Sequence, residues 1–433
     1  MLQLYDKHII TDIETNGLLD TVTKFWCAWI YDSASQEYKG YKDLDEYIDA
    51  LNVYGTSGYN LVFHNGIKYD VPCLKRLSGK DFVFDPRDCV IDTLVYARLV
   101  WSNIKDLDMG LIRSGRLPKD LFGSHSLKAY GYRMRELKGT YGEQEEAWDS
   151  FSEEMYKYNH QDVVVTKMLF DKLLGKGYLW EAVQLEHDIA WVMAKQERNG
   201  FVFDRDKAVV LYSELAGRRD ELTKELQDSV PPLLTGYKVY FNPNSRQQIA
   251  KVLIEQGWEP QEVTDTGLPK VDEETLKTAM NIPMTSKILE LLLLNKRIGQ
   301  LAEGSNAWLK LMKEDPDGYI RIHGSVNPNG AVTGRATHSY PNVAQVPANR
   351  APYGEVCREL FTVPQGWYEA GIDASGLELR CLGHFLSPYD EGAYVKEILS
   401  GDIHTHNQKM AGLATRNQAK TMCYCLIYGG GDA

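Results

Sequence analysis

Short apolar runs bounded by charged or turn-forming residues mark the first part of the chain, at residues 8–11, 25–30 and 61–63. Runs of that length read as strands buried in a sheet. Helical spacing then follows at Cys73, Leu74 and Leu77, at Leu94, Ala97 and Arg98, and at Met155, Tyr158, Val163 and Val164. Alternation of the two periods over residues 1–175 predicts an α/β domain. Residues 177–313 are patterned mostly as helix, with mixed-charge stretches at 218–226 and 288–301 that suit solvated helix faces, and a non-helical interlude at 231–244. Gly324, Asn327, Asn329, Gly330 and Gly334 then crowd together and predict a long irregular loop. A strand at 368–372 and helices at 377–386 and 416–428 complete the pattern, with no internal repeat.

Composition narrows the class. A chain of 433 residues with 43% hydrophobic and 25% charged residues can bury two or three ordinary cores. It is not a disordered, collagen-like or coiled-coil sequence. The apolar run at 291–294 falls far short of the ~20 residues that cross a bilayer, and the first residues contain no leader-like apolar stretch. No membrane partner is therefore expected. Seven cysteines, odd in number and without a CxxC pair, fit a reducing cytoplasm rather than a disulfide or zinc framework. A net charge of -12 argues against indiscriminate coating by nucleic acid, so any phosphate contact must be local. Two stretches are free of acid: 321–350, with three arginines, and 403–431, with Lys409, Arg416 and Lys420. Asp373 lies between them, an arrangement suited to a polyanion and a metal.

Three acidic segments carry chemistry. Asp12 and Glu14 lie two apart at a strand end, so both face one side and can grip one cation. The segment Phe63-His64-Asn65-Gly66-Ile67-Lys68-Tyr69-Asp70 runs from strand through turn to helix, where Asp70, ahead of Pro72, also suits an N-cap. Tyr158 and Asp162, four apart, share a helix face. Each alone is common on protein surfaces. Together and in this order they resemble the DxE, N-x₃₋₄-D and Y-x₃-D segments of the proofreading 3′–5′ exonuclease domain joined to DNA polymerases. Carboxylates ~4 Å apart repel by a few kcal/mol, so gathering four requires protons or divalent cations, and oxygen-only ligands favour magnesium or manganese. The resemblance implies a ribonuclease H-like α/β fold and two Mg²⁺ or Mn²⁺ ions. It assigns Asp12, Glu14 and Asp162 to the ion bearing the nucleophile, Asp12 as bridge, Asp70 to the second ion, and Tyr158 to orienting the water.

The last third holds a second constellation. Asp373-Ala374-Ser375-Gly376-Leu377-Glu378-Leu379-Arg380 reads as a strand end turning into a helix, where Ser375 and Glu378 also fit a capping box. Arg416, Lys420, Tyr424 and Tyr428 recur every four residues, two cations and then two rings on one stripe. These segments resemble motifs A and B of family A (DNA polymerase I-like) DNA polymerases. The segment from Arg321 through Thr333, Gly334 and Arg335 to Asn342, Gln345 and Pro347 is similar to the primer–template minor-groove loop of their bacteriophage replicative branch. Phe241-Asn242-Pro243-Asn244-Ser245 and Gly401-Asp402-Ile403-His404-Thr405 belong to the same likeness. By resemblance, Asp373 ligates catalytic metal, Glu378 packs on the incoming sugar, and His404, Arg416 and Lys420 contact the triphosphate. Tyr424 abuts deoxyribose and base, Tyr428 lies near the template base, and Arg335, Asn342 and Gln345 line the duplex. The organisation implied is an exonuclease domain at 1–175, a helical linker and mostly α-helical thumb at 176–315, a partial α+β palm at 316–386 and partial fingers at 387–433.

One element of the family pattern is missing: no His-Asp-Glu triplet, the later motif C with the second palm aspartate, occurs in the 433 residues. Two-ion phosphoryl transfer needs both carboxylates. The expectation is a polymerase portion with a working exonuclease, binding primer–template DNA, single-stranded 3′ ends and dNTPs. Synthesis would depend on a second polypeptide carrying the remaining palm and fingers, in the cytoplasm of an infected bacterial host. The stretch 190–313 is also too short for both a thumb and a large processivity-factor insertion. A stand-alone exonuclease that only grips DNA is the second reading, for which nothing requires a nucleotide-binding stripe. A non-catalytic DNA-binding subunit is the third, disfavoured by the full set of four carboxylates.

Overall fold

In the structure, a computed structural model, residues 2–144, 146–231, 233–235 and 237–430 are described. Gly431, the end of the second acid-free stretch, and residues 232 and 236 of the non-helical interlude lie outside the described residues.

The apolar runs become the centre of a five-stranded sheet: β1 (Lys7–Thr15), β2 (Phe25–Asp32), β3 (Glu37–Tyr41), β4 (Tyr59–Phe63) and β5 (Val90–Asp92), in the order β3-β2-β1-β4-β5. Strands β1, β2 and β3 are antiparallel neighbours, and β4 and β5 continue the sheet in parallel. Central β1 is covered on both faces, which is why its buried run is nearly continuous rather than alternating. Ile9 and Ile13 pack with Leu51, Leu61 and Phe63 on one face; Ile10 packs with Val62, Ile91, Val163 and Phe170 on the other. Val163 and Phe170 belong to the Glu153–Leu174 helix, which starts where the Ser152 hydroxyl accepts the Met155 N–H. Period two places Asp12 and Glu14 on the Ile10 face, turned toward this helix. Pairing of β1 with β4 runs only from Lys7 to Ile10, so the far half of β1 has no β4 partner on that edge. The edge strands β3 and β5, with weak apolar patterns, were not legible in the sequence.

Helices Trp180–Asn199, Arg205–Ser229, Arg246–Glu255 and Met284–Ile298 follow, as the pattern of 177–313 predicts. Leu211, Leu215, Leu222, Leu253, Leu291, Leu294 and Ile298 form the shared core of the last three, whereas Ala190 and Ala194 of the first pack into the core of the five-stranded sheet. A four-stranded sheet (Phe361–Thr362, Phe201–Phe203, Ile320–Ile322, Met312–Glu314, in that spatial order) and a hairpin (Ser325–Asn327 with Thr337–Ser339) give the irregular loop more order than its Gly/Asn content suggests. No helix among the described residues is long and apolar enough to cross a membrane.

The chain divides into two compact units, residues 1–365 and 366–433. The second contains helices Leu377–Asp390, Ala393–Ser400, Ile403–Met410 and Arg416–Ile427 around a small core of Leu379, Ile403 and Cys423. Here two expectations fail. Residues 368–372 form no strand, and Tyr368 and Ile372 are almost wholly exposed. A strand persists only where a neighbour takes its backbone hydrogen bonds, and none of the described residues pairs with this segment. The Ser375–Glu378 capping box is also absent: Gly376, in the left-handed region, precedes the helix with no side-chain cap, and the Ser375 carbonyl accepts from Arg380 Nε.

Candidate active site

One carboxylate oxygen each from Asp12, Glu14 and Asp162 lies within 4.8 Å of the other two. Asp12 and Glu14 come from β1, and Asp162 from the facing Glu153–Leu174 helix. Asp70, also buried, stands beside them and raises the proton affinity of Asp12, though it is outside the tight trio. It does not cap its helix: Tyr69 occupies that position with no side-chain bond, and the backbone N–H groups of Asp70 itself and of Ile13, on the edge β4 has left, favour its ionised form without overcoming burial. The loop leading to Asp70 is held by Asp92, whose carboxylate accepts the Asn65 N–H at 2.9 Å, the Ile67 N–H at 3.1 Å and the Leu94 N–H at 2.9 Å. The Asp92 N–H in turn donates to His187 Nε2 at 2.9 Å. Asn65 turns through φ 72°, a conformation asparagine tolerates better than most residues.

The site resists its own charge. Enclosure by protein, reinforced by Asp70, Glu14 and Asp162, holds Asp12 well above the usual carboxylate range; burial and then Asp162 do the same for Glu14. Burial, with Asp92, pushes Asp70 up to about 8. Asp162 rises to about 6, burial outweighing the opposing ammonium of Lys138. Asp162 Oδ1 is buried with no hydrogen-bond partner. A trio of converging carboxylates, one with an orphaned oxygen and all of them resisting ionisation, is a set that a divalent cation would satisfy.

Two residues at the centre carried no assigned role in the sequence. Fully buried Asn159 donates from Nδ2 to Asp12 Oδ2 at 2.8 Å. Its position three before Asp162 on the same helix was the available signal. Lys138 Nζ lies 2.6 Å from Asp162 Oδ2 and 4.7 Å from the centre of the Tyr158 ring. It comes from an irregular loop with no periodicity to flag it. Tyr158 shares the Asp162 face, as predicted, and burial followed by Asp162 pushes its hydroxyl up to about 12.

The second unit, by itself, gathers most of the residues of the other constellation. Glu378 hydrogen-bonds Tyr424, the His404 and Tyr424 rings lie 6.2 Å apart, and Lys420 Nζ sits 5.9 Å from the Tyr424 ring centre. Arg416 is paired with Asp402 through Nε at 2.5 Å and through a second nitrogen at 3.0 Å. Asp402 also caps the helix that carries His404. Tyr428 falls one residue past the helix end and is exposed. Asp373 is exposed on the irregular stretch and joins no group of three metal-ligating side chains among the described residues. In the first unit, Arg335 and Gln345 are exposed around the hairpin, and Asn342 holds a buried Oδ1 without a partner.

Comparison with known proteins meets this geometry from outside. Residues 212–433 match the model of the family described as DNA polymerase family A, and residues 9–174 that of the RNase H superfamily. The DNA-directed DNA polymerases of Escherichia phage T7 and Enterobacteria phage T3 are each 43% identical over 538 aligned positions, taking in 98% of this chain and 76% of theirs. That alignment is longer than the 433-residue chain, so both relatives hold segments that this one lacks. The thermostable DNA polymerase I of Thermus aquaticus is 27% identical over 61% of this chain and 32% of its own. Among solved structures, the POL domain of Pol1 from M. smegmatis, in complex with DNA primer-template and dNTP, superposes with a TM-score of 0.68. It covers 98% of this chain and 68% of that one; at 19% identity the likeness is one of fold.

Proposed function

This chain belongs to DNA polymerase family A, a DNA-directed DNA polymerase with an RNase H-like exonuclease domain, and we propose that this domain removes nucleotides one at a time from DNA 3′ ends at Asp12, Glu14, Asp70 and Asp162. The convergence of the Asp12, Glu14 and Asp162 oxygens carries this reading. Divalent metal use follows from the domain and the acidic group; Mg²⁺ or Mn²⁺ is the proposed identity, held by the trio with Asp70 serving a second ion. Bound there, such ions supply an activated water and stabilise the departing 3′ oxygen. The chain's own residues do the rest. Asn159 fixes the rotamer of Asp12, Asp92 holds the loop that presents Asp70, and the Tyr158 hydroxyl, still protonated at neutral pH, orients the attacking water.

The test is release of nucleotides from 3′-labelled single-stranded DNA with Mg²⁺ or Mn²⁺. Asp12→Ala is expected to lower the rate by at least about a hundredfold, the scale of losing one transition-state-stabilising group. An intact strand, or degradation that Asp12→Ala leaves unchanged, refutes the proposal.

For synthesis, Arg416, Lys420 and His404 are proposed to receive the dNTP triphosphate, Glu378 and Tyr424 its sugar and base, and Asp373 a metal. Tyr428, Arg335, Asn342 and Gln345 are proposed to contact primer–template. No His-Asp-Glu triplet, which in this family supplies the second palm carboxylate, occurs in the 433 residues. Primer extension is therefore expected when a polypeptide carrying a His-Asp-Glu hairpin and the remaining palm is added, in the compartment where a phage genome is copied.

A further inference from the structure

The acidic centre contains one cation of its own. Lys138 is about four-fifths buried, and its Nζ lies 2.6 Å from Asp162 Oδ2 and 4.7 Å from the centre of the Tyr158 ring. An ammonium has three donors, and Asp162 uses one of them. The loop that carries Lys138 is built to hold it there. Arg135 ends the Leu127–Met134 helix at φ 64°, the Glu136 N–H returns to the Gly131 carbonyl at 2.9 Å, and Gln161 Nε2 grips both Glu136 Oε1 at 2.7 Å and the Leu137 carbonyl at 3.1 Å. Gln161 is the neighbour of Asp162, so the residue that positions the lysine loop is fixed to the residue that binds its charge.

We propose that Lys138 is a catalytic residue of the exonuclease site, its ammonium donating to a non-bridging oxygen of the scissile phosphate. Charge balance favours this. Four carboxylates set against two divalent ions leave no net charge; the ammonium adds one positive charge, which a singly ionised phosphodiester neutralises. As the water oxygen bonds to phosphorus, the P–O3′ bond breaks and its electron pair leaves on the 3′ oxygen, which ends with a proton from the water. The products are a nucleoside 5′-monophosphate and a strand shortened by one residue. Negative charge accumulates meanwhile on the non-bridging oxygens, where a fixed, buried donor is most effective. Before substrate arrives, the same ammonium relieves repulsion among the carboxylates.

This inference rests on the exonuclease reading above, and its test separates the two. In the full chain, Lys138→Met, Lys138→Gln and Lys138→Arg are compared with the parent by calorimetric Mn²⁺ binding and by single-turnover cleavage of a single strand. The neutral variants are expected to bind Mn²⁺ severalfold more tightly, because a neighbouring positive charge is gone, yet to cleave about 10²–10³-fold more slowly. Lys138→Arg is expected to recover at least about tenfold of the loss, since it restores charge and donors. Cleavage by both neutral variants within threefold of the parent overturns the inference. So does Mn²⁺ binding that weakens in step with cleavage, which makes Lys138 a scaffold for the ligands. A parent that takes up Mn²⁺ but leaves the strand whole brings down the exonuclease reading, and this inference with it.

Discussion

Asp70 near 8 and Asp162 near 6 make the acidic centre a source of instability at neutral pH. Both groups titrate near 4 in an unfolded chain, so the folded protein holds their protons more tightly. Their contribution is therefore intact below about pH 4 and is lost as pH rises through 6 and 8. One pKa unit is worth about 1.4 kcal/mol, enough to move a melting temperature by several degrees. Scanning calorimetry without divalent ions should show the exonuclease unfolding transition falling between pH 5 and pH 8. Added Mn²⁺ should raise it more at pH 8, where the ligands are ionised, than at pH 5; the reverse order would contradict the assignment. Asn159 offers a second residue-scale test. Asn159→Ala frees Asp12 from its clamp at a position already tightly enclosed, and cleavage should fall about tenfold, the scale of losing a partner that orients a metal ligand. Asn159 could have been found in the sequence, because it shares a helix face with Asp162. Lys138 could not, because its placement depends on a loop folding back onto Gln161.

At the scale of elements, the contrast between β1 and residues 368–372 shows what a local pattern can fix. In the sequence both are short, partly apolar runs followed by an aspartate, 8–11 before Asp12 and 368–372 before Asp373. β1 became a strand because β2 and β4 flank it, whereas 368–372 has no neighbour among the described residues and stays irregular. Periodicity thus announces a strand's faces but not its partners, and edge strands β3 and β5 escaped it because they are too short or too polar to show a period. The loop from Phe63 to Asp70 was legible as strand, turn and helix because Asn65, Gly66 and Pro72 each encode a local conformation. Gly66 is required there by close approach: a Cβ at this position would stand 2.4 Å from Phe63 Cβ, a rigid atom at the end of buried β4. Gly66→Ala must therefore shift the turn and, through it, Asp70. A loss of about 1–3 kcal/mol in thermal stability is expected. Mn²⁺ affinity should fall while the helical circular dichroism signal is kept; unchanged affinity would mean that this turn does not set the position of Asp70.

Across the whole first unit, the exonuclease module and the hairpin proposed to touch primer–template are tied by a residue inside the nuclease motif itself. Lys68, two positions before Asp70, bonds Glu197 of the Trp180–Asn199 helix at 2.5 Å and, on the hairpin, Ser325 Oγ and the Val326 carbonyl at 3.1 Å each. Asn329 Nδ2 reaches the Val95 carbonyl at 3.4 Å close by. Sequence reading placed these residues in separate motifs more than 250 positions apart, and only the tertiary fold reveals that one side chain serves both. The ion pair is part-buried on both sides, so its removal should cost about 1 kcal/mol rather than unfold the protein. The larger effect belongs to local motion. Lys68→Met takes the donor from the Val326 carbonyl and from Ser325, and the hairpin is then held mainly by its own strand pairing and by Asn329. Hydrogen exchange at residues 325–327 and 337–339 should quicken by about tenfold, the equivalent of about 1.4 kcal/mol of local opening. Exchange in β1 and β2 should stay as it was, because their hydrogen bonds lie within a sheet that Lys68 does not touch. If 325–339 keeps its protection in Lys68→Met, the hairpin stands on its own and Lys68 serves only Glu197.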